Sequence, residues 1–287
     1  MIEPFPALVS TEWLAARLGG RGLQVEDGSW YLPTSGRDAA AEYEAGHLPG
    51  AVFFDLDASS DHTTPLPHML PDADAFAKRM ASLGLADTDD LIVYDGSGVN
   101  LSAPRVWWMF RAFGHARVAV LDGGSGKWRR EARLVEHGVP PPPAPGRFTA
   151  RLDPDAVLDL AAVQSTLSQA TAQIVDMRSA GRFAGTEREP RAGLRGGHIP
   201  GSRSLPYTEL VNPDGTLLPS DRLRERVVAA GIDLSRPVVA TCGSGTSACA
   251  LIHALHLIGH ERVALYDGAW TEWGGRQDTP VATGATG

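Results

Sequence analysis

Three short motifs occur twice along this chain, in the same order, with a run of prolines between the two sets. Gly46-His47-Leu48-Pro49-Gly50 returns as Gly197-His198-Ile199-Pro200-Gly201. Leu91-Ile92-Val93-Tyr94-Asp95-Gly96-Ser97-Gly98 returns as Val238-Val239-Ala240-Thr241-Cys242-Gly243-Ser244-Gly245. Val118-Ala119-Val120-Leu121-Asp122-Gly123 returns as Val263-Ala264-Leu265-Tyr266-Asp267-Gly268. An ordered set of matches means a duplicated unit, and 287 residues are enough for two ordinary cores. The segment Val139-Pro140-Pro141-Pro142-Pro143-Ala144-Pro145-Gly146 is stiff and extended. The reading is therefore one domain over 1–138, a proline-rich linker over 139–147 and a second domain over 148–287.

Within each half, short apolar runs alternate with segments of helical period, which predicts an α/β fold with a mainly parallel sheet flanked by helices. Phe76, Met80 and Leu83 mark one helix, and Gly84 ends it. Ser102 to Phe113 reads as another, with Pro104 tolerated because it falls in the first turn. Sites in open sheets of this kind lie at the carboxyl ends of the strands.

One such end carries reactive chemistry. Val238–Thr241 is too short and too β-branched to be anything but a buried strand, and it delivers Cys242 into a loop of small residues. Ala248, Leu251, Ile252, Leu255 and Ile258 then recur at amphipathic helical spacing, with Gly259 as the stop. A thiol there faces the positive end of a helix and a ring of backbone N–H groups, both of which favour the thiolate. Gly243 and Gly245 let the loop curl around an anion. The equivalent position in the first half is Asp95, so that half is expected to be non-catalytic.

Composition narrows the classes further. A formal charge of −8 argues against a nucleic-acid partner. Two cysteines seven positions apart make no disulfide framework, which points to a reducing compartment. Met1-Ile2-Glu3-Pro4-Phe5-Pro6 lacks a signal-peptide pattern, and no apolar run approaches membrane-spanning length, so a cytoplasmic location is expected. No set of side chains has metal-ligand spacing and no glycine loop matches a nucleotide fingerprint, so neither metal nor cofactor is expected.

With these residues in view, the chain resembles the tandem rhodanese (sulfurtransferase) family over nearly its whole length. The resemblance is carried by the loop Cys242-Gly243-Ser244-Gly245 together with Ser29-Trp30-Tyr31-Leu32-Pro33, the stretch from Ser102 to Arg111, Gly181-Arg182-Phe183-Ala184-Gly185-Thr186, and Tyr266-Asp267-Gly268-Ala269-Trp270-Thr271-Glu272-Trp273. The loop is similar to that of the mercaptopyruvate branch. The thiosulfate branch typically has basic residues just after the cysteine, where this chain has Gly243 and Ser244. The family loop usually continues Gly-Val-Thr-Ala; here it reads Gly245-Thr246-Ser247-Ala248, which predicts that the backbone donors stay and one hydrophobic contact is lost.

The resemblance implies two rhodanese-like domains and a reaction through a Cys242 persulfide, with 3-mercaptopyruvate as donor, pyruvate as product, and a thiol or cyanide as acceptor. Thioredoxin and glutathione fit as acceptors. The persulfide would be cradled by the N–H groups from Gly243 through Ser244, Gly245 and Thr246 to Ser247. Arg182 and Arg191 align with the arginines that bind the donor carboxylate, a task suited to a bidentate fork; Arg188 and Arg195 are read as surface ion pairs. Ser244, His68 and Asp57 align with a Ser–His–Asp relay, with Asp55 and Asp61 as alternative acids. On spacing alone, Asp57 reads as a turn cap and His68 as a surface-loop residue. His47 and His198 occur in both repeats and are read as turn-forming, Cys249 as a small buried residue, and Trp107, Trp108, Trp128, Trp270 and Trp273 as core. Trp30 is read as lining the cleft.

Three other readings share parts of this pattern. A thiosulfate sulfurtransferase uses the same cysteine but prefers positive charge in the loop. A cysteine phosphatase needs an arginine closing the loop, and none follows Cys242 through Ala248. A non-catalytic sulfur-relay or interaction module would not require an intact cysteine loop.

Overall fold

The computed structural model describes residues 5–284, so the reading of the N-terminus over Met1–Pro4 lies outside the described residues. The chain forms two compact units. The first takes in the chain up to Asp61, Leu70–Asp153 and Val211–Leu217; the second takes in His62–Met69, Pro154–Leu210 and the chain from Leu218 onward. Each unit thus includes one short segment from the other half of the sequence, and His68 belongs to the second.

The first unit runs β1 (Leu8–Val9), α1 (Thr11–Ala15), β2 (Leu23–Asp27), α2 (Ala39–Ala45), β3 (Ala51–Phe53), α3 (Ala73–Ser82), β4 (Asp90–Tyr94), α4 (Ala103–Ala112), β5 (Val118–Leu121) and α5 (Gly124–Arg130). Its five-stranded sheet has the order β1-β5-β4-β2-β3, with every pairing parallel. The second unit runs β6 (Val157–Leu158), α6 (Leu160–Gln169), β7 (Gln173–Asp176), α7 (Ala180–Ala184), β8 (Arg203–Ser204), α8 (Ser220–Ala229), β9 (Val238–Thr241), α9 (Ala248–Leu257), β10 (Val263–Tyr266) and α10 (Ala269–Trp273). Its sheet repeats the topology as β6-β10-β9-β7-β8, again parallel.

The registers also repeat. Asp27 of β2 pairs with Tyr94 at the end of β4, and Asp176 of β7 pairs with Thr241 at the end of β9. The next residue is Asp95 in one unit and Cys242 in the other. Central strands of parallel sheets are covered on both faces; β9 is buried throughout and β4 from Leu91 to Tyr94. This is why both read as uninterrupted apolar runs. Tyr94 and Trp128 pack in one core, and Tyr266, Trp270 and Trp273 in the other. Trp107 and Trp108 are buried as expected.

The repeated histidines are structural in both units. His47 Nδ1 lies 2.9 Å from the Tyr43 carbonyl and its ring stacks on Tyr43. His198 Nδ1 lies 2.8 Å from the Phe183 carbonyl and stacks on Phe183. Helix starts follow local chemistry: Asp38, Asp72 and Asp159 each accept from a backbone N–H in the first turn of α2, α3 and α6.

Two details differ from the sequence reading. The helix after Cys242 is not amphipathic: Ala248 through Leu255 are all buried, because β9, β10 and α8 all pack around α9. The proline segment is tied to the first unit, with the Gly146 N–H donating to the Ala81 carbonyl at 2.8 Å, and the main run of the second unit starts at Pro154. Among the described residues no helix is long and apolar enough to cross a membrane.

Candidate active site

Cys242 follows β9 directly and is 2% exposed, and Gly243 through Ala248 are buried with it. The start of α10 fixes the loop. The Trp270 N–H donates to the Cys242 carbonyl (2.9 Å), and the Thr271 N–H and hydroxyl both donate to the Gly243 carbonyl. A planar trans peptide points its N–H opposite to its C=O, so the Gly243 and Ser244 N–H groups face away from α10. Gly245 has φ +79°, a turn that suits glycine. Among the described residues, no protein group accepts a hydrogen bond from the N–H groups of Gly243 through Ala248. A buried loop of unpaired donors leading into a helix N-terminus is a receptor for negative charge at the sulfur. A donor has little open surface by which to reach that sulfur.

Arg182 is set against this loop. A Cβ added at Gly243 would come within 2.8 Å of Arg182 Nη2, so a side chain there would push the guanidinium aside. Nε and Nη2 of Arg182 bond Glu189, with Nη2 at 2.6 Å from Oε2, while Nη1 makes no hydrogen bond among the described residues. Glu189 also accepts from the fully buried Arg178, which forks onto Asp176 and donates to the Gly197 carbonyl. Burial opposes the charge on Arg178, but Asp176 and Glu189 outweigh it and hold its pKa above the ordinary arginine value. The Arg178 guanidinium also lies 4.3 Å from the Trp270 ring. Sequence reasoning missed Arg178 and Glu189. Their signals were an arginine two residues past a strand-end aspartate and a lone acid in Arg188-Glu189-Pro190-Arg191.

His68 sits in the same unit, 3% exposed, with a left-handed backbone at φ +61°. Its Nδ1 is 2.9 Å from Ser244 Oγ and 3.1 Å from Thr246 Oγ1. It is therefore no surface-loop residue. Thr246 in turn is 2% exposed, so the hydroxyl that stands where the family usually has valine is engaged.

The structure thus brings together Cys242, Ser244, Thr246 and His68 in one unit, with Gly243 against Arg182. Arg191 lies partly buried in the loop after α7, and Ser247 is the N-cap of α9 without a side-chain capping bond. Asp57 lies in the first unit, where its Oδ2 accepts from Trp30 Nε1 at 3.3 Å. Asp55 caps its own turn by accepting from the Ala58 N–H. Arg195 donates to the carbonyls of Trp273, Gly274 and Thr279, which makes it a structural staple and not a surface ion pair. The fully buried Cys249 donates its thiol proton toward the Gly245 carbonyl.

Two parallel α/β sheets of identical strand order, one with a buried thiol at the carboxyl end of its central strand, define a tandem-repeat protein with a single cysteine-centred loop. The Rhodanese-like domain family matches residues 10–131 and 159–276. The chain is 45% identical over 272 residues to 3-mercaptopyruvate sulfurtransferase of Homo sapiens, covering 93% of this chain and 91% of that one. It is 41% identical over 294 residues to thiosulfate/3-mercaptopyruvate sulfurtransferase 1, mitochondrial, of Arabidopsis thaliana, covering 96% and 77%. The crystal structure of SseA from Escherichia coli, a 3-mercaptopyruvate sulfotransferase, superposes with a TM-score of 0.84 at 42% identity, over 92% of this chain and 98% of that one. The chain belongs to the rhodanese family, as a tandem-domain member.

Proposed function

We propose that this chain is a 3-mercaptopyruvate sulfurtransferase working through a persulfide on Cys242. The observation that carries the reading is the contrast between the two strand-end loops. The N–H groups of Gly243 through Ala248 have no protein acceptor among the described residues, whereas the first repeat fills the corresponding loop with the Asp95 carboxylate. The similarity to sulfurtransferases over nearly the full chain supports the same conclusion.

In the first half-reaction the Cys242 thiolate attacks the donor sulfur. An S–S bond forms, the C–S bond breaks, and its electron pair stays on the methylene carbon as the pyruvate enolate. The enolate takes up the proton released from the donor thiol, and pyruvate leaves. Ser244 and His68 are the groups positioned to hold that proton in transit. The persulfide anion is stabilised by the loop N–H groups from Gly243 to Ser247. In the second half-reaction an acceptor thiol such as thioredoxin or glutathione, or cyanide, takes the outer sulfur and returns Cys242 to its thiolate. Arg182, through Nη1, and Arg191 are the proposed partners of the donor carboxylate. The first repeat, with Asp95 at the cysteine position, is proposed to be non-catalytic. Two free cysteines fit a reducing, cytoplasmic setting.

Steady-state kinetics with 3-mercaptopyruvate and with thiosulfate tests this reading. Cys242→Ser is expected to abolish turnover and the persulfide adduct of about 32 Da seen by mass spectrometry. Arg182→Ala is expected to cost about 10- to 100-fold in kcat/KM for 3-mercaptopyruvate, the size of a lost charge-assisted contact. A clear preference for thiosulfate would assign the chain to the other donor. Absence of the adduct with both donors would leave a binding module.

A further inference from the structure

We propose that Thr246 is a positioning residue that holds the His68 imidazole through a second hydroxyl contact at the same ring nitrogen; this rests on the relay role given above to Ser244 and His68. Three observations converge on it. Nδ1 of His68 faces two hydroxyls, Ser244 Oγ at 2.9 Å and Thr246 Oγ1 at 3.1 Å. His68 is 3% exposed yet has φ +61°, a region that side chains disfavour, so its neighbours must hold it there. Thr246 is itself rigidly placed, 2% exposed at the mouth of α9, and β-branched, so its χ1 has little freedom.

A hydroxyl can donate to a bare ring nitrogen or, after rotating, accept from an N–H. The pair therefore keeps a partner on Nδ1 in either protonation state. With Ser244 alone, any moment at which its proton is engaged elsewhere removes the hydroxyl contact by which the cysteine loop holds this edge of the ring. Thr246 keeps the ring in place through that moment. Valine, the usual family residue here, has the shape of threonine without the hydroxyl, so it supplies packing but not the second contact.

Thr246→Val removes the hydroxyl at constant volume. With 3-mercaptopyruvate as donor, kcat is expected to fall about 3- to 10-fold, the scale of one neutral hydrogen bond, with KM unchanged within about twofold. Thr246→Ser is expected to restore kcat. In a His68→Gln background, Thr246→Val is expected to change nothing further, which a purely structural role would not produce. The proposal is overturned if Thr246→Val keeps wild-type kcat, if serine is no better than valine, or if the loss is equally large without His68. Should the wild-type protein fail to turn over 3-mercaptopyruvate, the functional reading fails, and the contact is still tested in the resting protein. There, the Nδ1 signal of His68 in a long-range 1H–15N spectrum is expected to move in Thr246→Val; an unmoved signal overturns the proposal.

Discussion

At the carboxyl end of β4 the chain closes on a carboxylate, and at the carboxyl end of β9 it closes on a thiol, with nearly everything else in the two neighbourhoods repeated. Asp95 Oδ1 accepts from the Ser97 N–H, and Oδ2 accepts from the Ser102 and Ala103 N–H groups at the start of α4. The Ser97 hydroxyl takes up the Val99 and Leu101 N–H groups, and Ser29 takes up that of Gly96. In this loop the anion is a built-in side chain. In the Cys242 loop the same kind of donors are present and, among the described residues, no side chain meets them.

The flanking pieces correspond as well. Arg37 pairs with Glu42 and donates to the Gly96 carbonyl, much as Arg182 pairs with Glu189 against Gly243. The Ser125 N–H donates to the Asp95 carbonyl as the Trp270 N–H donates to that of Cys242. The two loops differ in the residue that follows the central strand and in whether the loop donors meet a protein acceptor among the described residues. At position 269 the second repeat keeps an alanine at φ +50° where the first has Gly124 at φ +53°. Backbone strain of this kind concentrates at functional sites.

The sharpest way to break this comparison is to write one loop into the other. Cys242→Asp is expected to leave no measurable turnover and to raise Tm, because a carboxylate would meet the unpaired N–H groups; differential scanning calorimetry reads the second effect. A lower Tm would show that the shorter Cys242 loop cannot close on a carboxylate. In the other direction, Asp95→Ala leaves at least three backbone donors without their acceptor. It is expected to cost on the order of 3 kcal/mol in urea unfolding, with turnover per folded molecule unchanged. A loss under about 0.5 kcal/mol, the level of a neutral surface change, would deny Asp95 its structural role.

A smaller, pH-dependent effect marks a second difference between the repeats. Glu26 occupies the register position in β2 that Val175 holds in β7. It is fully buried, and neither carboxyl oxygen has a hydrogen-bond partner among the described residues. Burial first, then the neighbouring Asp27 and Asp89 charges, push its pKa well above the ordinary range, against the attraction of Arg79. The folded state therefore holds this proton more tightly than the unfolded chain. That contribution is complete below about pH 4.3 and is lost as pH rises from there toward the folded pKa. Glu26→Leu is expected to stabilise the protein by about 1–3 kcal/mol at neutral pH, the cost of burying an unpaired polar group. The gain should be smallest near pH 4, where the carboxyl is protonated in both states and only the burial of a neutral unpaired group remains, and it should grow as pH rises toward the folded pKa. A gain that does not vary with pH would mean that Glu26 has no raised pKa.

The duplication, the two parallel sheets, the Cys242 loop and the helix after it were all legible in the residues, because spacing, β-branching and glycine placement act over a few neighbours. The structural role of His47 and His198 was legible too, since a residue kept in both repeats, with an aspartate after the central strand of one and a cysteine in the other, answers to folding. The contact between His68 and Ser244 joins positions 176 residues apart, and no local period announces it. Only the folded chain could show that Glu189 holds Arg178 and Arg182 together, that Asp95 reaches the first N–H groups of α4, and that the Thr246 hydroxyl finds an imidazole. Hydrogen-bond partners are chosen by distance and direction in space, and those are properties of the packed sheets and loops, not of order along the chain.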